Sequence, residues 1–192
     1  MIGPLIHMKR SIRIYGDPVL REKAEEVTAI DEQVRALARD MIETMHAQSG
    51  IGLAAQQVGE TVSICVVDLP AEMDQDEDGA PMNPGVRMPM ILLNPVILES
   101  DRKATSREEG CLSFPEIMGK IERPWTVTVR HKDLDGTSHE RTYHGMLARV
   151  LQHEIDHLNG VLFIDRMSHV KRLALKGKLK RMRRETEEAL AE

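Results

Sequence analysis

The chain has 192 residues, of which 41% are hydrophobic and 30% charged, and its net charge at pH 7 is −5. This composition excludes a disordered chain, and no apolar run approaches the roughly 18 residues of a membrane span. The length fits a single domain, 1–192. Two cysteines are too few for a disulfide scaffold, and no secretion signal is recognisable in residues 1–15, so we expect a cytoplasmic protein.

The first predicted element is an amphipathic helix. Asp31 is a suitable N-cap, apolar residues then recur at helical spacing over 34–45, and Gly50 ends the segment. The short apolar run 62–68 is typical of a buried strand, in which Cys65 is expected to be a small core residue.

The middle of the chain alternates between loop and strand patterns. Residues 70–89 are acidic and rich in proline, glycine and methionine, which predicts an exposed mobile loop that is suited to cover a cleft. Residues 90–98 predict an extended segment interrupted by an Asn-Pro pair. Residues 125–130 and 139–143 alternate around an Asp-Gly pair, which is the pattern of a β-hairpin.

Two helices complete the predicted secondary structure. The segment 145–158 is apolar on nearly every face and is closed by an Asn-Gly pair, so a buried helix is expected. Residues 165–192 predict one long C-terminal helix that is basic first and acidic last, with eight basic and no acidic residues in 171–184. The fold class indicated is α+β.

The buried helix carries the sequence His-Glu-x-x-His. His153 and His157 lie one turn apart on one helix face, where both can bind one divalent ion, with Glu154 close enough to accept a proton from water. Two histidines leave the ion under-coordinated, so a third donor is needed. Metalloproteases that share this motif often take it downstream, but Phe163 stands where one such family has a histidine, which favours the upstream Cys111.

Three segments occur together in the order Gly-Ile-Gly-Leu-Ala-Ala-Gln-Gln at 50–57, Glu-Gly-Cys-Leu-Ser at 109–113 and Gln-His-Glu-Ile-Asp-His at 152–157. Together they closely resemble the signature of the peptide deformylases, and the resemblance extends over roughly residues 10–170. It implies small, mostly antiparallel β-sheets around a central helix that carries the metal motif, followed by a C-terminal helix. It also implies hydrolytic release of formate from N-formylmethionyl nascent peptides.

The resemblance further implies a metal site. Cys111, His153 and His157 are then the ligands, a water takes the fourth position, and Glu154 acts as general base and afterwards as general acid. Iron(II) is the expected ion in the cell, whereas zinc, nickel or cobalt can replace it in purified protein.

Two further groups follow from the same resemblance. The backbone N–H of Leu112 and the side-chain amide of Gln57 are expected to stabilise the oxyanion. The expected substrate-binding residues are Ile51, Gly52, Glu109, Gly110, Met146 and Val150. Arg107 and Arg149 lie near them in sequence and complicate an apolar methionine pocket. We also expect an ion pair between Glu109 and Arg123.

The basic segment of the tail has two interpretations. It is either a solvated helix face or a contact for ribosomal RNA near the peptide exit, and neither DNA nor a membrane is an expected partner. Two rival functions stay open: a zinc peptidase that cuts internal amide bonds, and a ribosome- or RNA-binding module with a structural metal. Glu154 argues against the second rival, because a closed structural site has no use for a proton acceptor.

Overall fold

A computed structural model describes residues 9–191; residues 1–8, on which part of the signal-peptide expectation falls, and residue 192 lie outside the described part. The helices are α1 (Glu32–Ala47), α2 (Gly145–Leu158), α3 (Phe163–Arg166), α4 (His169–Ala174) and α5 (Lys176–Leu190). The strands are β1 (Gly52–Ala54), β2 (Ile64–Val67), β3 (Met90–Ser100), β4 (Ala104–Gly110), β5 (Met118–Pro124), β6 (Thr126–Lys132) and β7 (Ser138–His144). Short 3₁₀ turns occur at Pro18–Arg21, Ala55–Val58 and Ala71–Met73.

The strands form two antiparallel sheets. One sheet has five strands in the order β1-β2-β3-β6-β7, and the other is the β4-β5 hairpin. The expected hairpin of β6 and β7 is confirmed, and its turn is closed by the Asp133 carboxylate, which accepts hydrogen bonds from the backbone N–H groups of Asp135 and Thr137. The α+β class, with antiparallel sheets and the metal-motif helix at the centre, is confirmed.

The five-stranded sheet is covered on both faces, which explains why β2 is a continuous apolar run. Its side chains alternate, so Cys65 and Val67 enter the core beneath α2, whereas Ile64 and Val66 enter the core beneath α1. All four are fully buried. The prediction that Cys65 is a core residue is therefore confirmed, and burial raises the pKa of its thiol well above the ordinary value.

The predicted α1 is confirmed, and Asp31 caps it by accepting a hydrogen bond from the Val34 N–H at 2.9 Å. The expected interruption at Asn94-Pro95 is a register shift within a continuous β3. Asn94 adopts a positive φ there, and its side chain bonds both the N–H and the C=O of Val27 at 2.8 Å.

Residues 70–89 form the expected exposed segment, but one side chain anchors it. Asn83 is buried, and its Oδ1 accepts from the His144 N–H at 2.9 Å while its Nδ2 donates to the Asp74 carboxylate and the His144 carbonyl. Because His144 directly precedes α2, these hydrogen bonds of Asn83 hold the segment against the start of the metal-motif helix.

The expectation of one helix over 165–192 is wrong at its start. The chain forms α3, α4 and α5 instead. Met167 separates α3 from α4, because it takes an extended backbone (ψ 149°) and buries its side chain against β5, and Leu175 separates α4 from α5. Ser168 then caps α4 by accepting from the Lys171 N–H at 3.3 Å. In α5, buried Leu179 and half-buried Met182 pack on the cluster that contains Phe114, so this helix is docked on the fold.

Candidate metal centre

Helix α2 presents the two predicted histidines to the interior. His153 and His157 are both buried, and their ring centroids lie 5.0 Å apart. Burial and the neighbouring His153 hold the pKa of His157 well below its usual range, so its ring is neutral, as a metal ligand must be. The helix therefore supplies two adjacent imidazole donors.

The predicted third donor comes from the end of the β4-β5 hairpin. Cys111 directly follows β4, and its Sγ lies 3.3 Å from Nε2 of His157. The ligand atoms of Cys111, His153 and His157 all lie within 4.8 Å of one another, and this is the only such group of three in residues 9–191. Sulfur and two imidazole nitrogens, clustered in this way, fit a tetrahedral divalent ion with one ligand position left open.

Glu109 orients His153. Its Oε2 accepts from the Nδ1–H of His153 at 3.1 Å, which leaves Nε2 of that ring to face the donor cluster. Burial alone would raise the pKa of Glu109, but hydrogen bonds from His153 and Arg123 lower it well below its usual range. For His153 burial acts in the other direction and lowers the pKa, but hydrogen bonds to Cys111 and Glu109 raise it to about 10. Binding of an ion to this ring therefore displaces a proton.

The expected ion pair between Glu109 and Arg123 is confirmed. Arg123 is buried and donates to both Glu109 oxygens, at 2.8 and 3.0 Å, and to Asp156 at 2.8 Å. Arg166 also donates to Asp156, at 2.6 and 3.2 Å. Helix α2 is thus held by a buried network of Arg123, Glu109 and Asp156, to which the exposed Arg166 adds a second cation at Asp156.

Glu154 lies on α2 between the two histidines and has an unpaired oxygen. Its buried Oε2 has no hydrogen-bond partner among the described residues. Burial is the main reason that its pKa is raised to about 7, although His153 and Arg123 act in the opposite direction. A Cβ at Gly52 would collide with Oε1 of Glu154, so glycine at this position leaves room for the carboxylate. A buried carboxylate without a partner, beside three metal donors, fits proton transfer to or from water.

The two residues predicted to supply the oxyanion donors, Gln57 and Leu112, both lie beside Cys111. Gln57 is held by its Oε1, which accepts from the Ala54 N–H at 2.9 Å, so its Nε2 points to Cys111 Sγ and Ser113 Oγ, 3.4 Å from each. Leu112, next to Cys111, lines the same cleft.

A cleft of about 590 Å³ opens beside the donor cluster. Every predicted substrate-binding residue lines it: Ile51, Gly52, Glu109, Gly110, Met146 and Val150. The sequence did not point to Met73, from the 70–89 segment, or to Met118, from β5, both of which also line it. The methionine content of 70–89 is the only signal that bears on Met73. Arg107 lies instead in a neighbouring cavity with Met73 and Met146.

Comparison with known proteins identifies the family. Residues 9–173 match the family model described as polypeptide deformylase. The chain belongs to the peptide deformylase family. One relative, the peptide deformylase of Opitutus terrae, is 49% identical over 185 residues, which cover 93% of this chain and 96% of that protein.

Solved deformylase structures have the same fold. The one from Thermotoga maritima is 43% identical, with a TM-score of 0.73 over 84% of this chain and 99% of that one. The one from Ehrlichia chaffeensis is 39% identical, with a TM-score of 0.80 over 92% and 98% of the two chains.

The family, the enzyme class and the activity expected from the three motifs are thereby confirmed. The chain is a metallohydrolase of the family that removes the N-formyl group from formylmethionyl peptides. Within residues 9–191, no helix has both the length and the apolar character needed to cross a bilayer.

Proposed function

We propose that Glu154 carries the proton in formyl hydrolysis, beside a divalent ion held by Cys111, His153 and His157. The observation that supports this most directly is the buried Glu154 carboxylate: its Oε2 has no hydrogen-bond partner among the described residues, and its Oε1 faces Gly52 in the wall of the cleft. A pKa raised to about 7 lets the same group accept and return a proton near neutral pH.

In the proposed reaction, Glu154 both removes a proton from water and returns it to the leaving group. Glu154 takes a proton from water as the water oxygen bonds to the formyl carbon. The C–N bond then breaks, Glu154 returns the proton to the departing amine nitrogen, and the formic acid loses its remaining acidic proton to solvent, which leaves formate and a free amino terminus. The ion, when bound, supplies electrophilic polarisation and lowers the pKa of water from 15.7 towards about 7.

Gln57 and Leu112 are the proposed donors to the oxyanion. The Ala54 N–H holds the carbonyl end of the Gln57 amide, so its Nε2 is oriented towards the cleft before substrate arrives. Donors oriented in advance stabilise developing charge without reorganisation, and one of them is worth ~3 kcal/mol. The second donor in this proposal is the backbone N–H of Leu112, beside Cys111.

The proposed substrate is an N-formylmethionyl nascent peptide bound as an extra strand. Among the described residues, β1 pairs only with β2, and β4 pairs only with β5. Each therefore has an edge without a partner strand, and these edges border the cleft at Gly52 and Gly110. A peptide placed between them directs its methionine side chain towards Ile51, Met146 and Val150.

Release of formate from formyl-Met-Ala tests the function. We expect turnover with formyl-Met-Ala and none with unformylated Met-Ala peptides. Glu154→Gln should lose at least ~100-fold in kcat while metal analysis shows the ion retained. Cleavage of internal bonds in unformylated peptides would support the peptidase instead, and an ion-loaded protein without turnover would support a structural metal.

We propose iron(II) as the working ion. Imidazole and thiolate also suit zinc, cobalt and nickel, so the donor set itself does not select among them. Anaerobic purification with metal analysis, followed by formate release from protein reloaded with each ion, tests this. The proposal fails if anaerobically purified, active protein contains no iron.

We further propose a cytoplasmic, single-domain protein that meets nascent chains at the ribosome through α4 and α5. Lys176 and Lys180 are exposed on α5. Deleting the tail would remove buried Leu179 from the core, so charge reversal is the cleaner test. Lys176→Glu/Lys180→Glu should weaken co-sedimentation with ribosomes more than Lys120→Glu/Lys132→Glu does, and raised salt should weaken it as well.

A further inference from the structure

Arg149 is a buried cation in the wall of the substrate cleft. It lies on α2, one turn before His153, and is 4% exposed. Its Nη1 donates to Oε1 of Glu109 at 2.6 Å and to the Ile121 carbonyl at 3.1 Å. Its Nη2 donates to the carbonyl of Thr105 at 2.6 Å and to its hydroxyl at 3.1 Å. Both terminal nitrogens are therefore bound to protein, and the guanidinium is not held ready for an anionic substrate.

Glu109 receives four donors, two on each oxygen. Oε1 accepts from Arg149 and from Nε of Arg123, whereas Oε2 accepts from Nη2 of Arg123 and from Nδ1 of His153. Arg149 thus fixes the oxygen that does not touch the histidine, and this leaves the other oxygen in place for His153. A ligating histidine needs such an acceptor to hold its ring orientation and tautomer.

Arg149 also joins the two parts of the metal site. The imidazoles come from α2, while the sulfur follows β4. Arg149 spans from α2 to Thr105 on β4 and to Ile121 on β5. Arg123 connects the same parts in the opposite direction, from β5 to Asp156 on α2. The distance between Cys111 and the two histidines is set where these elements meet.

We propose that Arg149 is a positioning residue for the metal site. It holds Glu109 against His153 and clamps the β4-β5 hairpin to α2, so that the three donors are assembled before the ion arrives. The inference rests on the proposed function only in taking Cys111, His153 and His157 as the ligands. It concerns binding of the divalent ion and applies whichever amide is hydrolysed.

Arg149→Met tests this, because methionine fills similar space but donates no hydrogen bond. Cobalt(II) is the probe, with its visible absorption spectrum and its rate of loss to a chelator as readouts. We expect the spectrum to change and the ion to leave ~10–100-fold faster than from the unchanged protein. Arg149→Lys should give a partial effect, since one ammonium group cannot reach Glu109, Thr105 and Ile121 together.

A matched control separates positioning from packing. Gln152 is also buried on α2, and its Nε2 donates to the carbonyls of Pro124 and Ala148, not to the metal site. Gln152→Leu should lower the melting temperature but leave the cobalt spectrum and the rate of ion loss unchanged. If Arg149→Met has the same cobalt spectrum and the same rate of cobalt loss as the protein without substitutions, the inference is overturned. If Arg149→Met does not fold, the same rate of cobalt loss in Arg149→Lys overturns it.

The two proposals fail separately. If the unchanged protein binds cobalt but releases no formate from formyl-Met-Ala, the proposed function fails, and the rate of ion loss still tests Arg149. If formate is released normally and Arg149→Met retains cobalt as tightly as before, the inference on Arg149 fails alone.

Discussion

The side-chain nitrogen Nε2 of Gln57 lies 3.4 Å from Sγ of Cys111. This contact brings an amide donor from the segment after β1 to a proposed metal ligand that follows β4, 54 residues later in the chain. Because the other end of the amide is fixed by the Ala54 N–H, the orientation of Nε2 is set by the protein and does not depend on bound substrate.

Gln57→Leu should therefore lower kcat far more than it changes KM. Loss of one oxyanion donor costs ~100–1,000-fold in kcat, because the donor acts mainly in the transition state. Gln56→Leu is the control: Gln56 is buried too, but its Nε2 donates to the Glu22 carbonyl, away from the cleft. Steady-state kinetics on formyl-Met-Ala distinguish the two, and equal losses in both variants would indicate a general packing effect.

Gly52→Ala should impair the reaction through the position of Glu154. The added methyl group would overlap Oε1 of Glu154 and approach Cγ1 of Val150 to 2.9 Å, so the carboxylate must move. A displacement of about 1 Å can cost ~100-fold in rate. Gly177→Ala on α5 is the control, since nothing lies within 4 Å of its added Cβ, and it should stabilise the protein by ~0.5–1 kcal/mol. Normal kinetics in Gly52→Ala would show that Glu154 does not need its position beside Gly52 for the proposed proton transfer.

How far the sequence predicted the fold depends on whether a signal was local. The helix with His153 and His157 was predictable, because its apolar periodicity and closing Asn-Gly pair lie within one segment. The hairpin of β4 and β5 was missed, since β4 is mostly exposed and polar and shows no alternation. The break at Met167 was missed for a related reason: that residue leaves the helix to pack against β5, a contact distant in sequence.

In the candidate site, too, residues were predictable where the sequence signal was local and were missed where it depended on contacts distant in sequence. Cys111, Glu154 and Gln57 were identified because each lies in a contiguous motif that resembles a known family. The role of Arg149 was not predictable, because its acceptors come from Glu109, Thr105 and Ile121 on two other strands. From spacing alone it was an unexplained charge in an apolar pocket.

Arg123→Met should destabilise the protein strongly. It would leave buried Glu109 with fewer donors and remove one cation from Asp156, and breaking a buried pair in this way costs ~3–5 kcal/mol. Arg39→Ala is the control, because Arg39 pairs with the exposed Glu32 and such surface pairs are worth about 1 kcal/mol or less. Urea denaturation of the ion-free proteins measures both, and similar losses would show that the buried network contributes little.

Acid should destabilise the protein partly through Glu109. Its pKa is lower in the folded state than the ~4.3 of an unfolded chain, so its contribution is complete above that value and is lost as the pH falls below it. The free energy of unfolding of ion-free protein, measured from pH 6 to pH 2, should fall more steeply than that of Glu109→Gln. Other carboxylates titrate in both proteins, so the difference isolates Glu109; parallel curves would contradict the assignment.

Met73→Ala should weaken substrate binding, although Met73 lies in a segment outside the three family motifs. The hydrogen bonds of Asn83 with Asp74 and His144 hold this segment against the start of α2. Met73 lines the cleft together with Met146. Removing its side chain takes away apolar surface of the cleft but none of the groups proposed to act on the reacting atoms. KM for formyl-Met-Ala should therefore rise several-fold, at ~1.4 kcal/mol for each factor of ten, with kcat nearly unchanged. Asp78→Ala, an exposed change in the same segment that lines neither the cleft nor the neighbouring cavity, should leave both constants as they were. A rise in KM for both variants would trace the effect to the segment as a whole, and no rise for Met73→Ala would exclude that side chain from substrate contact.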